Sequence, residues 1–173
     1  MRLYLIGMPG AGKTTLGRAL AAAYEVPFRD LDAEIVERES RSVADIFAAE
    51  GEAYFRTREA AVLREVVAEL PEVVLATGGG TPCFHQNLEV LLDTGYTLYL
   101  EVPVEELVAR LQRAAASRPL LAAAAGPAAL EARLRETLAA RQQFYSRAPL
   151  RCTGSSCSVA AVQGLLHQYR VSG

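Results

Sequence analysis

The chain has 173 residues, 51% of them hydrophobic and 22% charged, and a formal net charge of −2. A chain of this length and composition buries a globular core as one domain, without help from disulfides or a structural metal. Its apolar stretches are short and broken by charge, which excludes a membrane span, and its mild acidity, with a pI near 5.8, excludes a general nucleic-acid binder. From the N-terminus, Arg2 to Ile6 reads as a short buried strand that runs into Gly7. That apolar run is too short for a signal peptide, so a cytoplasmic location is expected. Gly7 to Gly12 is a glycine-rich turn, and Lys13 to Tyr24 follows helical spacing through Leu16, Leu20 and Ala23. Phe28 to Leu31 is a brief second strand. Ser42 to Asp45 looks like a capping box for a helix carrying Val43, Ile46 and Phe47, which Gly51 breaks. Glu52 to Leu70 is a longer helix with Phe55, Val62, Leu63 and Val66 as its apolar stripe.

Glu72 to Thr77 reads as a buried strand ending in Gly78-Gly79-Gly80. A helix from about Gln86 to Asp93, a strand from Tyr96 to Val102 and a helix from Val104 to Arg113 come next, with Pro103 at the start of the last. Between Ala114 and Ala129 the composition shifts to alanine around Ser117-Arg118-Pro119-Leu120-Leu121 and Gly126-Pro127. This low-complexity stretch, about 114–128, is the expected mobile lid. A helix from about Leu130 to Tyr145, a strand near Leu150 to Cys152 and a helix from about Val159 to Tyr169, capped by Ser156 or Ser158, complete the chain. Strands alternating with helices predict an α/β fold with a parallel sheet covered on both faces. The three cysteines, Cys83, Cys152 and Cys157, favour free thiols, and with only His85 and His167 beside them they form no standard zinc pattern.

Gly7-Met8-Pro9-Gly10-Ala11-Gly12-Lys13-Thr14 matches the phosphate-binding pattern G-x-x-x-x-G-K-[ST] between a strand and a helix. Such glycines let consecutive N–H groups converge on phosphate oxygens in front of a helix N-terminus. ATP is therefore expected on Gly10, Ala11, Gly12, Lys13, Thr14 and Thr15. Lys13 is the only lysine in the chain; a flexible point charge there reaches between β- and γ-phosphates. The Thr14 hydroxyl suits Mg²⁺. With a single lysine, the chain lacks the Asn-Lys-x-Asp segment of a GTP switch. No apolar strand ends in the metal-binding Asp of a motor ATPase, since Leu91-Leu92-Asp93 reads as a helix end. A small-molecule kinase is favoured.

Phe28-Arg29-Asp30-Leu31-Asp32 places two carboxylates one residue apart, and in an extended segment both point into one cleft. With Tyr54-Phe55-Arg56, Gly78-Gly79-Gly80, Arg118-Pro119-Leu120-Leu121 and Arg141 before Phe144-Tyr145, the chain resembles the shikimate kinases from the phosphate loop to about Arg147. The resemblance implies ATP-dependent phosphorylation of the 3-hydroxyl of shikimate by a single domain, working as a monomer without nucleic acid or membrane. It also implies a three-layer P-loop kinase fold with a five-stranded parallel sheet of order 2-3-1-4-5, a lid, and substrate-binding helices at about 32–62. By the same resemblance Asp30 holds the Mg²⁺ shell, and Asp32 binds substrate hydroxyls and accepts a proton. Arg56 and Arg141 grip the carboxylate, and Gly78, Gly79 and Gly80 offer close backbone approach. Phe47 and Phe55 wall the pocket, Glu59 orients Arg56, Arg110 lies against adenine, and Arg118 closes over the phosphates.

The residues themselves leave other readings open. Asp30 and Asp32 suit helix caps, Arg56 suits ion pairs with Glu52 or Glu59, the three glycines suit a plain turn, and Phe47 and Phe55 suit the core. A gluconate or other sugar-acid kinase has the same need for arginines, and a nucleotide-dependent regulatory module needs only the loop. The alanines at 114–116 and 122–125 favour a stiffer, partly helical lid. After Tyr145 the chain departs from the family pattern, so adenine contacts stay unassigned there.

Overall fold

The computed structural model describes residues 1–116 and 126–172. Five strands, β1 (Arg2–Ile6), β2 (Phe28–Asp30), β3 (Val73–Ala76), β4 (Tyr96–Glu101) and β5 (Leu150–Thr153), form one sheet in the order β2-β3-β1-β4-β5. Every pairing is parallel, with Leu5 of β1 opposite Ala76 of β3 and Leu98 of β4. Leu3 to Ile6, Val73 to Ala76 and Thr97 to Leu100 are all buried, the continuous burial expected of strands with helices on both faces. Seven helices accompany the sheet among the described residues: α1 (Lys13–Tyr24), α2 (Leu31–Glu39), α3 (Val43–Glu69), α4 (Asn87–Thr94), α5 (Val104–Ala116), α6 (Pro127–Tyr145) and α7 (Val159–Ser172). None is long and apolar enough to cross a membrane.

Several boundaries differ from the sequence reading, each for a local reason. Leu31 opens α2 instead of closing β2, because the Asp30 carboxylate accepts from the N–H groups of Asp32 and Ala33 and caps the helix. Pro103 stands just outside α5, its carbonyl accepting from Glu106 and Leu107. α6 starts three residues before Leu130, with Pro127 in the first turn, where its fixed φ suits a helix start. Ser158 rather than Ser156 caps α7, accepting from the N–H of Ala161. The free-thiol expectation holds for Cys83 alone. A 3-10 turn at Gly154–Ser156 folds the chain back after β5, and Cys152 and Cys157 pair as a disulfide with their Cα atoms 5.4 Å apart.

Ser42 caps α3 by accepting from the N–H of Asp45, and Gly51 kinks that helix with φ 82° and ψ 176°. This backbone region is essentially reserved for glycine. A Cβ at Gly51 meets nothing within 4 Å, and the same holds at Gly164 in α7. The two positions therefore separate backbone conformation from crowding. Gly51→Ala is expected to destabilise the fold by about 1–3 kcal/mol, whereas Gly164→Ala stabilises it by about 0.5–1 kcal/mol through helix propensity. Urea unfolding of both variants reads the opposite signs directly.

Candidate active site

The cleft opens at the carboxyl ends of β1 and β3, where an open parallel sheet places its ligand sites. After Ile6 the chain turns through Gly7–Gly12 into α1, with Gly10 and Gly12 at φ 82° and 93°. Among the described residues no side chain caps the start of α1, so its leading N–H groups face the cleft as an anion seat. Lys13 is buried, and its ammonium donates to the carbonyls of Gly7 at 2.8 Å and Met8 at 2.9 Å. Burial lowers its pKa to about 8, although Asp32 and Asp30 pull the other way. Arg110 donates to the carbonyls of Ala11 at 3.0 Å and Gly10 at 3.4 Å and pairs with Glu106. Its guanidinium thus braces the phosphate loop, and it also lines the cleft with Thr14 and Thr15.

Asp30 and Asp32 both line this cleft of about 450 Å³, but not as alternate residues of one strand. Asp30 is the cap of α2 and Asp32 lies in its first turn, so a helix start, and not strand alternation, brings them together. The capping role and the cleft role coexist: one Asp30 oxygen holds α2, and the other accepts from the Thr14 hydroxyl at 2.9 Å. A hydroxyl and a single carboxylate beside a phosphate seat suit Mg²⁺, which retains several waters and takes few protein ligands. The Asp32 carboxyl is pushed up by burial and by its acidic neighbours Asp30 and Glu59, against Lys13 and Arg56.

Behind Gly79 and Gly80, outside the lining of this cleft, the neighbouring side chains are basic. Arg56 is buried, donating to Glu59 at 2.9 Å and more weakly to Glu52 at 3.4 Å. Both ion pairs open in the sequence are present, and Glu59 is the strong one. Glu59 is fully buried, and its other oxygen accepts from the Thr81 hydroxyl at 2.6 Å. The Thr81 carbonyl accepts from the Asn87 amide, whose oxygen accepts from Arg64. A Cβ at Gly80 would stand 2.5 Å from the Arg56 guanidinium, and one at Gly79 would stand 2.7 Å from Arg141 and 2.8 Å from Pro9. A Cβ at Gly78 would come 3.3 Å from Asp32. A side chain at Gly79 would press on the Pro9 ring and one at Gly80 would displace the Arg56 guanidinium, so the glycines allow the close approach of these groups. Arg141 holds one buried Nη1 with no hydrogen-bond partner among the described residues.

The structure thus gathers Lys13, Thr14, Asp30, Asp32, Gly78 and Gly79 on one cleft, with Arg56, Gly80 and Arg141 at its edge. Ala11 is buried behind the loop. Phe55 belongs to the core, and Phe47, 37% exposed, packs on it at 4.7 Å from the α3 surface. Neither lines the cleft. Arg118 and most of the expected lid lie outside the described residues. Three partners escape sequence reasoning: Phe84, 4.3 Å under the Arg56 guanidinium, Thr81 on Glu59, and Tyr145, whose hydroxyl donates to the Gly79 carbonyl. Only Tyr145 carried a signal, standing four residues after Arg141 on one helix face.

Known proteins share the sequence and the fold of this chain. The shikimate kinase family model matches residues 9–169. A shikimate kinase of Parabacteroides distasonis is 44% identical over 149 residues, 86% of this chain and 85% of the relative. The crystal structure of shikimate kinase from Bacteroides thetaiotaomicron superposes with a TM-score of 0.88 at 38% identity, covering 96% of this chain and 98% of that one. Shikimate kinase from Acinetobacter baumannii in complex with shikimate gives 0.81 at 37% identity, covering 99% and 93%. With its phosphate loop, sheet order and family match in agreement, the chain belongs to the shikimate kinase family and is a kinase.

Proposed function

We propose that this chain moves the terminal phosphoryl group of ATP to the 3-hydroxyl of shikimate, giving shikimate 3-phosphate and ADP, with Mg²⁺ held by Thr14 and Asp30. The observation that carries this reading is two anion seats side by side, the cleft behind the phosphate loop and a pair of guanidinium groups that pack against the glycines at its end. The uncapped start of α1 with Lys13 suits phosphates, and the guanidinium groups of Arg56 and Arg141, packed on Gly80 and Gly79, suit a carboxylate. On nucleotide binding, Lys13 exchanges its carbonyl partners for β- and γ-phosphate oxygens. The metal spreads the charge of the triphosphate. Asp32 accepts the proton of the attacking hydroxyl as the new O–P bond forms and the bond to the ADP oxygen breaks. Positioning of the acid by Arg56 and Arg141 holds that hydroxyl in line, and Arg118 closes over the phosphates.

The acceptor is tested by coupled ADP release with ATP and Mg²⁺ alone, with shikimate and with gluconate. Stimulation by shikimate alone is expected. Stimulation by gluconate alone keeps the kinase but discards the acid assignment, and silence with both acids discards turnover of either. Arg56→Lys keeps a cation beside buried Glu59 but loses the planar fork. It is expected to raise KM for shikimate roughly 10- to 100-fold, with ATP affinity by calorimetry unchanged. Asp32→Asn keeps the shape and removes the base. A fall in kcat of about 10²- to 10⁴-fold is expected, and a kcat within a few-fold of wild type, roughly the experimental scatter, removes Asp32 from proton transfer.

A further inference from the structure

The Tyr145 side chain has no solvent exposure and stacks on Tyr99 with ring centroids 5.0 Å apart. Its hydroxyl donates to the Gly79 carbonyl at 2.5 Å, across 66 residues of sequence. Burial pushes its phenol far up, even though the neighbouring Arg141 lowers it, so the hydroxyl keeps its proton and remains a donor throughout the working pH range. The bond acts on one peptide unit. In a trans peptide the carbonyl of Gly79 and the N–H of Gly80 point in opposite directions, so fixing the first fixes the second on the side away from Tyr145. That peptide also lies between the two guanidinium groups: Gly79 packs on Arg141 and Gly80 on Arg56. Arg141 and Tyr145 leave α6 one turn apart, on the same face.

We infer that Tyr145 is a positioning residue for the acid substrate: its hydroxyl locks the Gly79–Gly80 peptide and thereby sets how Arg141 on α6 and Arg56 on α3 converge on a carboxylate. The inference rests on the acid reading of the cleft given above. It assigns Tyr145 no contact with substrate or nucleotide. Its effect passes through the peptide and Arg141, so it belongs to the binding of the acid and not to the phosphoryl-transfer step.

The test is Tyr145→Phe, which keeps the stacked ring and removes the hydroxyl with its bonds to Gly79 and Arg141, beside Tyr99→Phe, which removes a hydroxyl from the same stacked pair without touching Gly79. Steady-state kinetics with shikimate and ATP, and thermal unfolding, are measured on all three proteins. Tyr145→Phe is expected to raise KM for shikimate about five- to ten-fold, leaving kcat and KM for ATP unchanged, while Tyr99→Phe leaves all three constants unchanged. Combined with Arg56→Lys, the effect of Tyr145→Phe on KM shrinks, because the two act on one carboxylate seat. An unchanged KM for shikimate in Tyr145→Phe overturns the inference while the acid reading stands. Equal loss for ATP and shikimate, or a variant that does not fold, makes the hydroxyl a general structural tie and overturns it too. A wild-type protein not stimulated by shikimate removes the acid reading, and the inference with it.

Discussion

Glu59 has no solvent exposure, and its two carboxylate oxygens are divided between Arg56 and the Thr81 hydroxyl. A charge taken out of water is tolerated only when it is paired and hydrogen-bonded, and removing one partner of a buried pair costs about 3–5 kcal/mol. Arg56 and Thr81 are therefore held in place by the need to satisfy Glu59. Thr81 opens the 3-10 turn that follows the glycines and is tied through Asn87 to Arg64. Glu59 thus joins α3 to the loop after β3 and ties Arg56 to that loop. Gly79 and Gly80 lie inside this frame, close against the two guanidinium groups.

The phosphate half is built differently. Among the described residues Lys13 bonds only to carbonyls of its own loop, and burial has already weakened its hold on the proton. Such an ammonium is held in reserve: it has partners, but poor ones beside the oxygens of a polyphosphate. Arg110 bonds the outer carbonyls of the same loop, which keeps the N–H groups directed inward without supplying charge through the substrate. In the proposed reaction, an Arg56 held by Glu59 and a braced loop with an exchangeable cation would favour orientation over reorganisation, the condition under which proximity and preset dipoles accelerate transfer.

Asp30 shows how a structural and a chemical role share one side chain. One oxygen closes the start of α2 and the other meets Thr14. The sequence offered these as alternatives, cap or metal ligand, because pattern alone treats a carboxylate as one acceptor although it has two oxygens. The error over Asp32 has the same origin. Strand alternation and a helix start both bring residues 30 and 32 into one cleft, and only the capping geometry tells them apart.

What the sequence determined by itself was contiguous. The phosphate loop, the strand before it and the helix after it lie within one stretch, and local backbone sterics settle them wherever they occur. The helix broken at Gly51 and the alternation of strands and helices were legible for the same reason, while helix starts at Leu31 and Pro127 shifted by the residues that cap them. The tertiary structure decided what depends on distant partners: the burial of Glu59 against Thr81, Phe84 under Arg56, and Tyr145 holding a carbonyl 66 residues away. Periodicity carries no record of such contacts. They arise only when the sheet brings the ends of β1 and β3 side by side and α6 returns across them, because a buried polar atom takes its partner from the space around it and not from the chain beside it.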